Sequence, residues 1–290
     1  MIPPPGAHGG DGARLAAALG VDPAAVLDLS ASFNPVAPDP GEVVAKHLDA
    51  LGRYPDPAAA TAALAAAMDV DVDRLLLTNG GAEAIALVGA ELGGRVDEPD
   101  FDLYPRGGGP LWRSNPHNPS GRLAGADEEA GVWDEAFYPL ATGRWTRGEA
   151  VVVGSLTKLL ACPGLRAGYV LAGPELIHRL RRRQTTWSVN GLAAAALPDL
   201  LAAVDLPAWA TAVARLRARL ADVLRGAGLD PEPSNANFVL VRARGLRAAL
   251  APHGVLVRDC ASFGLPEHAR IAVPDDAGLA RLEEVLCGAR

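Results

Sequence analysis

The chain has 290 residues, 49% of them hydrophobic and 21% charged, with a formal net charge of −7. That length holds one large domain or two smaller ones, the composition is that of a globular protein, and the acidic balance gives a nucleic-acid partner no footing. Cys162, Cys260 and Cys287 show neither metal-ligand nor disulfide spacing. No apolar run reaches the roughly 20 residues of a membrane span. Met1-Ile-Pro-Pro-Pro-Gly6 lacks the basic flank and apolar core of a signal peptide. A soluble, cytoplasmic protein is expected.

Residues 1–40 are rich in glycine and proline, with one short strand expected at 26–29, and read as an arm that wraps over the rest. They carry His8-Gly9-Gly10 and Ser30-Ala-Ser-Phe-Asn34-Pro35. A helix is predicted over 41–51, then the rigid turn Arg53-Tyr54-Pro55-Asp56-Pro57. An alanine-rich helix over 58–68 and a buried strand over 74–77 follow. Thr78-Asn79-Gly80-Gly81-Ala82-Glu83 then opens a helix to about Leu92. A strand, a glycine turn and a helix N-terminus can seat an anion, because free backbone N–H groups and the helix dipole converge there. A plain strand-to-helix turn has the same pattern.

Phe101 and Tyr104 place two aromatics in a loop, where either could stack on a flat ring or pack in the core. Ser114-Asn115-Pro116-His117-Asn118-Pro119-Ser120-Gly121 is a proline-fixed turn that holds Asn118 at the end of a short strand. Residues 131–138 read as a buried strand carrying Asp134, a carboxylate able to cap a helix or to keep a pyridine nitrogen protonated. Further on, a helix over 174–184 bears four arginines as a solvated face. Trp187-Ser-Val-Asn190 precedes an alanine-rich helix, and a long amphipathic helix spans 207–224. Short strands at 237–242, 254–258 and 270–273 alternate with helices near 246–250 and 275–286. The alternation predicts an α/β fold with a smaller α/β unit at the C-terminus.

The stretch that organises the rest is Gly154-Ser-Leu-Thr-Lys158, followed by Pro163-Gly-Leu-Arg166-Ala-Gly-Tyr169. Apolar runs flank a turn that presents a lysine among hydroxyls, with an arginine eight residues on. A lysine held in such a turn loses solvation, so its amine becomes available for a Schiff base. Ser155, Thr157 and Arg166 form an anion seat beside it. A strand–turn–strand with Lys158 in water would share the Ser-x-x-Lys pattern. Arg166 and the glycine turn at 80–81 favour a pyridoxal phosphate anchor, with the aldehyde on Lys158 and the phosphate among its neighbours.

Taken in order, these stretches resemble the fold-type I pyridoxal-phosphate enzymes of the aminotransferase class, the group of histidinol-phosphate aminotransferase. Within it the likeness is greatest to the threonine-phosphate decarboxylases of cobalamin biosynthesis. It rests on His8-Gly-Gly, Asp134-Glu-Ala-Phe137, the 155–169 stretch, Arg183-Gln-Thr-Thr-Trp187-Ser-Val-Asn190, Leu256-Val-Arg258-Asp-Cys260 and Arg270-Ile-Ala-Val273. Tyrosine is commoner in transaminases where Phe137 stands.

The resemblance implies a mixed, mostly parallel sheet flanked by helices. An N-terminal arm would span 1–40, a large cofactor domain 41–204, and a small C-terminal domain 205–290. It implies that Lys158 and Asp134 are catalytic, Asp134 pairing with the pyridine nitrogen, and that Asn118 bonds the ring hydroxyl. Ser155, Thr157, Arg166 and the backbone of Ala82 and Glu83 would hold the cofactor phosphate, joined by Tyr54 of a second copy in a homodimer. Phe101 or Tyr104 would stack on the ring. Arg270 would take the substrate carboxylate, and His8, Asn34 and Arg258 its phosphate.

Between Gly81 and Asp134 the chain is much shorter than that family's pattern. At least one βα unit is therefore expected to be missing, leaving one sheet face thinly covered for a second subunit to shield. An aminotransferase of a phosphorylated substrate and a non-catalytic partner subunit are the two rival expectations.

Overall fold

The computed structural model describes residues 2–148 and 150–288. Met1 of the expected arm, Glu149 of the expected large domain, and Ala289 and Arg290 of the expected small one lie outside the described residues.

The first 40 residues hold a helix that the glycine-rich composition hides, α1 (Gly12–Leu19), before strand β1 (Leu27–Leu29). The Gly12 N–H donates to Asp28 at 2.9 Å, so the cap comes from beyond the helix rather than from the preceding Asp11. The helix expected over 41–51 is instead two pieces, α2 (Pro40–Ala45) and a 3-10 turn at Leu48–Gly52. Leu48 and Leu51 are exposed in this chain, so no packed face carries the helix onward. Helix α3 (Ala58–Met68) buries Ala60, Leu64 and Met68. Strand β2 (Leu75–Asn79) runs straight into α4 (Gly80–Leu92).

Three short strands follow: β3 (Arg95–Val96), β4 (Leu111–Ser114) and β5 (Val132–Asp134). The strand expected over 131–138 stops at Asp134, whose carboxylate accepts from the Ala136 N–H and turns the chain toward α5 (Tyr138–Thr142), with Pro139 in its first turn. Asn118 lies in the turn beyond β4 rather than at its end. Strand β6 (Val151–Ser155), the single turn α6 (Leu156–Leu159) and β7 (Ala167–Leu171) form the lysine hairpin. Then come α7 (Pro174–Arg183), α8 (Gly191–Ala202) and α9 (Leu206–Gly226). Strand β8 (Phe238–Arg242), α10 (Leu246–Leu250), β9 (Val255–Asp259), β10 (His268–Ala272) and α11 (Asp276–Gly288) complete the described chain.

Six strands form a sheet in the order β2-β7-β6-β5-β4-β3. Strands β3 to β6 are parallel, and β7 is antiparallel to both its neighbours. Side-chain alternation sorts the faces. Leu76, Val153 and Val170 pack with Ala84, Val88 and Ile177 of α4 and α7. Leu75, Val152 and Leu171 pack with Leu64 of α3 and Leu197 of α8. A second sheet runs β1-β9-β10-β8, with β1 parallel to β9. Helix α9 serves both cores: Trp209 and Val213 enter the first, Leu216, Leu220 and Leu224 the second.

The crossovers at 97–110 and 115–131 contain no helix. Tyr104 and the fully buried Trp112 fill the core there instead. The Arg147 guanidinium donates to the carbonyls of Gly125 (2.7 Å) and Glu128 (2.9 Å) while lying 4.9 Å from the Trp133 ring. One side chain thus hooks down the loop that stands where a helix is expected. Beside it a polar groove is lined by Arg113, His117, Arg122, Glu128 and Asn235. Among the described residues no single helix is long and apolar enough to cross a membrane.

Candidate active site

The lysine hairpin is shaped by close packing. A Cβ on Gly154 would lie 2.2 Å from the Tyr169 ring, so the glycine lets β6 and β7 approach with the tyrosine between them. Arg166 takes the left-handed conformation at φ 54°, and its guanidinium crosses the start of α4. Gly80, at φ 76°, leaves that space open: a Cβ there would meet the Arg166 guanidinium at 2.5 Å. Ser155 stands on the other side, 3.4 Å from where a Gly81 Cβ would be. A cradle results, made of free N–H groups at the helix start, one hydroxyl and one guanidinium.

Ala82, Ser155, Thr157 and Arg166 line a cavity of about 190 Å³ together with Lys158, Asp134 and Asn118. Phe101, His8, Arg258 and Arg270 line the same cavity. The lysine amine lies 4.9 Å from the Phe33 ring. Desolvation, then the charges of Arg270 and Arg166, push it down to about 8 against the pull of Asp134. It is therefore a ready nucleophile near neutrality. Asp134 accepts from the Ala136 N–H (2.9 Å) and the Tyr104 hydroxyl (2.8 Å). Burial raises its carboxyl to about 6 in spite of both donors.

Arg270 and Arg258 face each other on adjacent antiparallel strands, β10 and β9. Arg270 donates to Asn118 Oδ1 and, at 3.4 Å, to the Ser30 carbonyl, while its Nε is buried without a partner. Burial, then Arg258, pushes it down to about 10. Arg258 donates through Nη2 to the Ala7 carbonyl (2.5 Å) and Ser262 (2.8 Å), leaving Nε and Nη1 buried and unpaired. Two adjacent buried cations with orphaned N–H groups make a strong anion seat.

Four expected residues stand outside the cavity lining. Asn34 is buried, donating to the Leu159 carbonyl (3.0 Å) and accepting from the Val36 N–H (3.1 Å). It ties the 32–36 turn to the lysine turn and does not contact the anion seat, a correction to its expected role. A buried amide takes the nearest backbone partners. The Glu83 carboxylate accepts from the Asn79 N–H at 2.6 Å and so caps the glycine turn. Tyr104 lies behind Asp134 instead of over the cavity, so of the two expected aromatics it is Phe101 that lines the cavity. Tyr54 is 75% exposed, stacked on Trp187 at 4.2 Å.

Sequence reasoning missed Gly9, Ser30, Phe137 and Phe263 as lining residues. The Gly9 signal was present in the glycine pair: a Cβ there would lie 2.1 Å from the Ser30 carbonyl oxygen, so the arm is pressed onto the end of β1. His8 then reaches Asp102 at 3.5 Å, joining the arm to the aromatic loop. Phe263 lies 5.4 Å from the Arg258 guanidinium and carries no local sequence signal.

An amine available near neutrality, an enclosed carboxylate and an anion cradle at a helix start fit pyridoxal phosphate: aldehyde, ring nitrogen and phosphate each find a matching group. The model of the aminotransferase class I and II family matches residues 111–286. The chain is 30% identical to a histidinol-phosphate aminotransferase of Symbiobacterium thermophilum, covering 86% of each chain. It is also 30% identical to a threonine-phosphate decarboxylase of Salmonella typhimurium, covering 97% of each. Among solved structures, histidinol-phosphate aminotransferase of Sinorhizobium meliloti in complex with pyridoxal-5′-phosphate superposes with a TM-score of 0.81 at 18% identity. That match covers 96% of this chain and 95% of that one. The chain belongs to the aminotransferase class I and II family, has its fold, and takes pyridoxal 5′-phosphate as cofactor.

Proposed function

We propose that the protein decarboxylates L-threonine O-3-phosphate to (R)-1-aminopropan-2-ol O-2-phosphate and CO₂, as a homodimer with shared active sites. The observation that carries this reading is the pair of buried guanidiniums, Arg258 and Arg270: both residues line the lysine cavity, both keep N–H groups without a partner, and among the described residues neither is ion-paired to a carboxylate. A substrate bearing both a carboxylate and a phosphate uses both. A phosphorylated amino alcohol such as histidinol phosphate brings only one anion, but the 2-oxoglutarate that a transaminase also takes brings two, so isotopic labelling and not the anion count separates the reactions. The relative from Salmonella typhimurium supports the same reaction by name. Phe137, which packs edge-on against Phe238 at 5.1 Å, lines the cavity where a transaminase more often offers a hydroxyl.

Bound pyridoxal phosphate supplies an aldehyde for amines and a ring that draws electrons from the substrate's α-carbon. In this reading Lys158 would hold the cofactor through its aldehyde, and Asp134 would keep the ring nitrogen protonated. Asn118 bonds the ring hydroxyl, and Phe101 packs on the ring. Ser155, Thr157, Arg166 and the backbone N–H groups of Ala82 and Glu83 hold the cofactor phosphate, with Tyr54 contributed by the second copy. Arg270 would grip the substrate carboxylate and so orient the Cα–carboxylate bond for cleavage, while Arg258 and His8 would grip the substrate phosphate. Lys158, an amine poised near 8, would be the group that supplies the proton to Cα.

The rival reading is transamination of a phosphorylated substrate, favoured by the histidinol-phosphate aminotransferases among the relatives. Carboxyl-labelled threonine phosphate, incubated with and without 2-oxoglutarate, separates the two. Labelled CO₂ without the oxo acid supports decarboxylation; glutamate formation with the label retained rejects it.

A further inference from the structure

The loop that carries Phe101 and Tyr104 has no regular structure, yet it is tightly fixed. The Arg106 guanidinium donates to the carbonyls of Tyr104 (2.8 Å), Asp102 (3.0 Å) and Phe101 (3.2 Å), and through Nε to Glu98 at 2.6 Å. Beneath it the buried Asp100 accepts from the Ser114 N–H and hydroxyl. So held, the loop sends Tyr104 inward. Its ring is 3% exposed, tilted on Trp112 at 5.5 Å and edge-on to Phe101 at 5.7 Å. Its hydroxyl ends 2.8 Å from Asp134 Oδ2, while the Ala136 N–H holds Oδ1.

We propose that Tyr104 is a positioning residue: its hydroxyl fixes the Asp134 carboxylate so that the aspartate favours a proton on the cofactor's ring nitrogen over one on itself. The inference rests on the reading of Asp134 given above. A carboxylate and a pyridine nitrogen that share one proton divide it by relative basicity, and a hydrogen bond donated to the carboxylate weakens the carboxylate's hold. Buried beside Asp134 and Asp100, the Tyr104 phenol is pushed well above its ordinary range, so it remains a donor at every working pH. Among the titratable groups around Asp134, Asp100 raises its affinity for a proton and Lys158 lowers it, while the neighbouring Glu135 carboxyl and Tyr169 phenol, raised first by burial, are raised also by the Asp134 charge. Tyr104 and the Ala136 N–H are the two direct donors that offset burial.

The test uses holoenzyme loaded with pyridoxal phosphate labelled with ¹⁵N in the ring. Tyr104→Phe keeps the ring packing and removes only the hydroxyl. Its nitrogen resonance should move toward the unprotonated pyridine value, and kcat should fall roughly 10- to 100-fold with KM little changed, as for one lost hydrogen bond to a charge. Replacing Tyr104 by 2,3-difluorotyrosine, a stronger donor of the same shape, should shift the resonance the other way if at all. In an Asp134→Asn background, Tyr104→Phe should have no further effect. A resonance unchanged by both tyrosine substitutions, or an equal change in the Asp134→Asn background, overturns the proposal. Absence of any bound-cofactor signal in the unaltered protein would overturn the reading of the site and this inference together.

Discussion

Replacing Arg258 by methionine separates binding from folding, because the two respond to the same guanidinium in different ways. In the protein without substrate, Arg258 is 4% exposed and lies directly across from Arg270. Removing it loses the bonds to the Ala7 carbonyl and Ser262, about 1.5–3 kcal/mol each for a charged donor, but relieves a like-charge pair and a desolvated cation whose cost is of similar size. Folding stability should therefore change by no more than about 1–2 kcal/mol in either direction. Substrate binding has no such compensation. Nε and Nη1 have no protein acceptor, and in the proposed role each would bond the substrate phosphate, a charge-assisted bond that contributes about 1.5–3 kcal/mol. The loss for a phosphorylated substrate is about 3–6 kcal/mol, or roughly 10²–10⁴ in kcat/KM. Urea unfolding gives the first quantity, and steady-state rates on L-threonine O-3-phosphate against unphosphorylated L-threonine give the second. A fall of less than tenfold, or an equal fall for both substrates, would refute the assignment of Arg258 to the phosphate.

Three further outcomes are expected. In cofactor-free protein the Lys158 amine sits at about 8 instead of its ordinary 10.5, so the unfolded chain binds more protons between those values and stability rises with pH across that window. Lys158→Met should accordingly be the more stable protein at pH 7, with the gain shrinking from pH 8 to 10.5 in paired urea titrations; a constant gain would contradict the burial argument. Glu135 is held by burial at about 7 while both its oxygens accept from the Arg147 N–H, so the folded protein keeps a proton that the unfolded chain loses between 4.5 and 7. Stability falls over that range, and Glu135→Gln should raise the melting temperature at pH 8 but not below pH 4.5. Leu48, Leu51, Tyr54 and Trp187 are each more than half exposed, and we assign this apolar patch to the contact between two copies. Leu51→Asp should convert a dimer to a monomer by size-exclusion light scattering, and an unchanged mass would rule the patch out.

Much of the architecture was legible because local pattern and tertiary environment agree. Ala58–Met68 and Leu246–Leu250 are helices where alanine and leucine periodicity put them. The lysine hairpin is readable because the apolar strands Val151–Ser155 and Ala167–Leu171 flank a turn that contains Pro163-Gly164. What stayed hidden depends on partners distant in the chain. Helix α1 is capped by Asp28, out of reach of any adjacent-residue rule. Asn34 looked like an anion ligand because its type is right, yet its partners are the carbonyl of Leu159 and the N–H of Val36. No periodicity reveals that Arg147 fastens the 125–128 loop, since those bonds are made to main-chain oxygens. The inward turn of Tyr104 was equally unreadable, because Arg106 sets it through carbonyls.

The pairing of Leu27–Leu29 with Val255–Val257 has a consequence for synthesis. The earlier strand cannot pair until Val255–Val257, far along the chain, has left the ribosome. The six-stranded half, all of whose strands lie between Leu75 and Leu171, can assemble earlier, while the leading residues and their His8 remain unattached. The anion seat made by Arg258 and Arg270 is thus the last part of the catalyst to form, so a nascent chain holds an anchored lysine before it can grip a substrate.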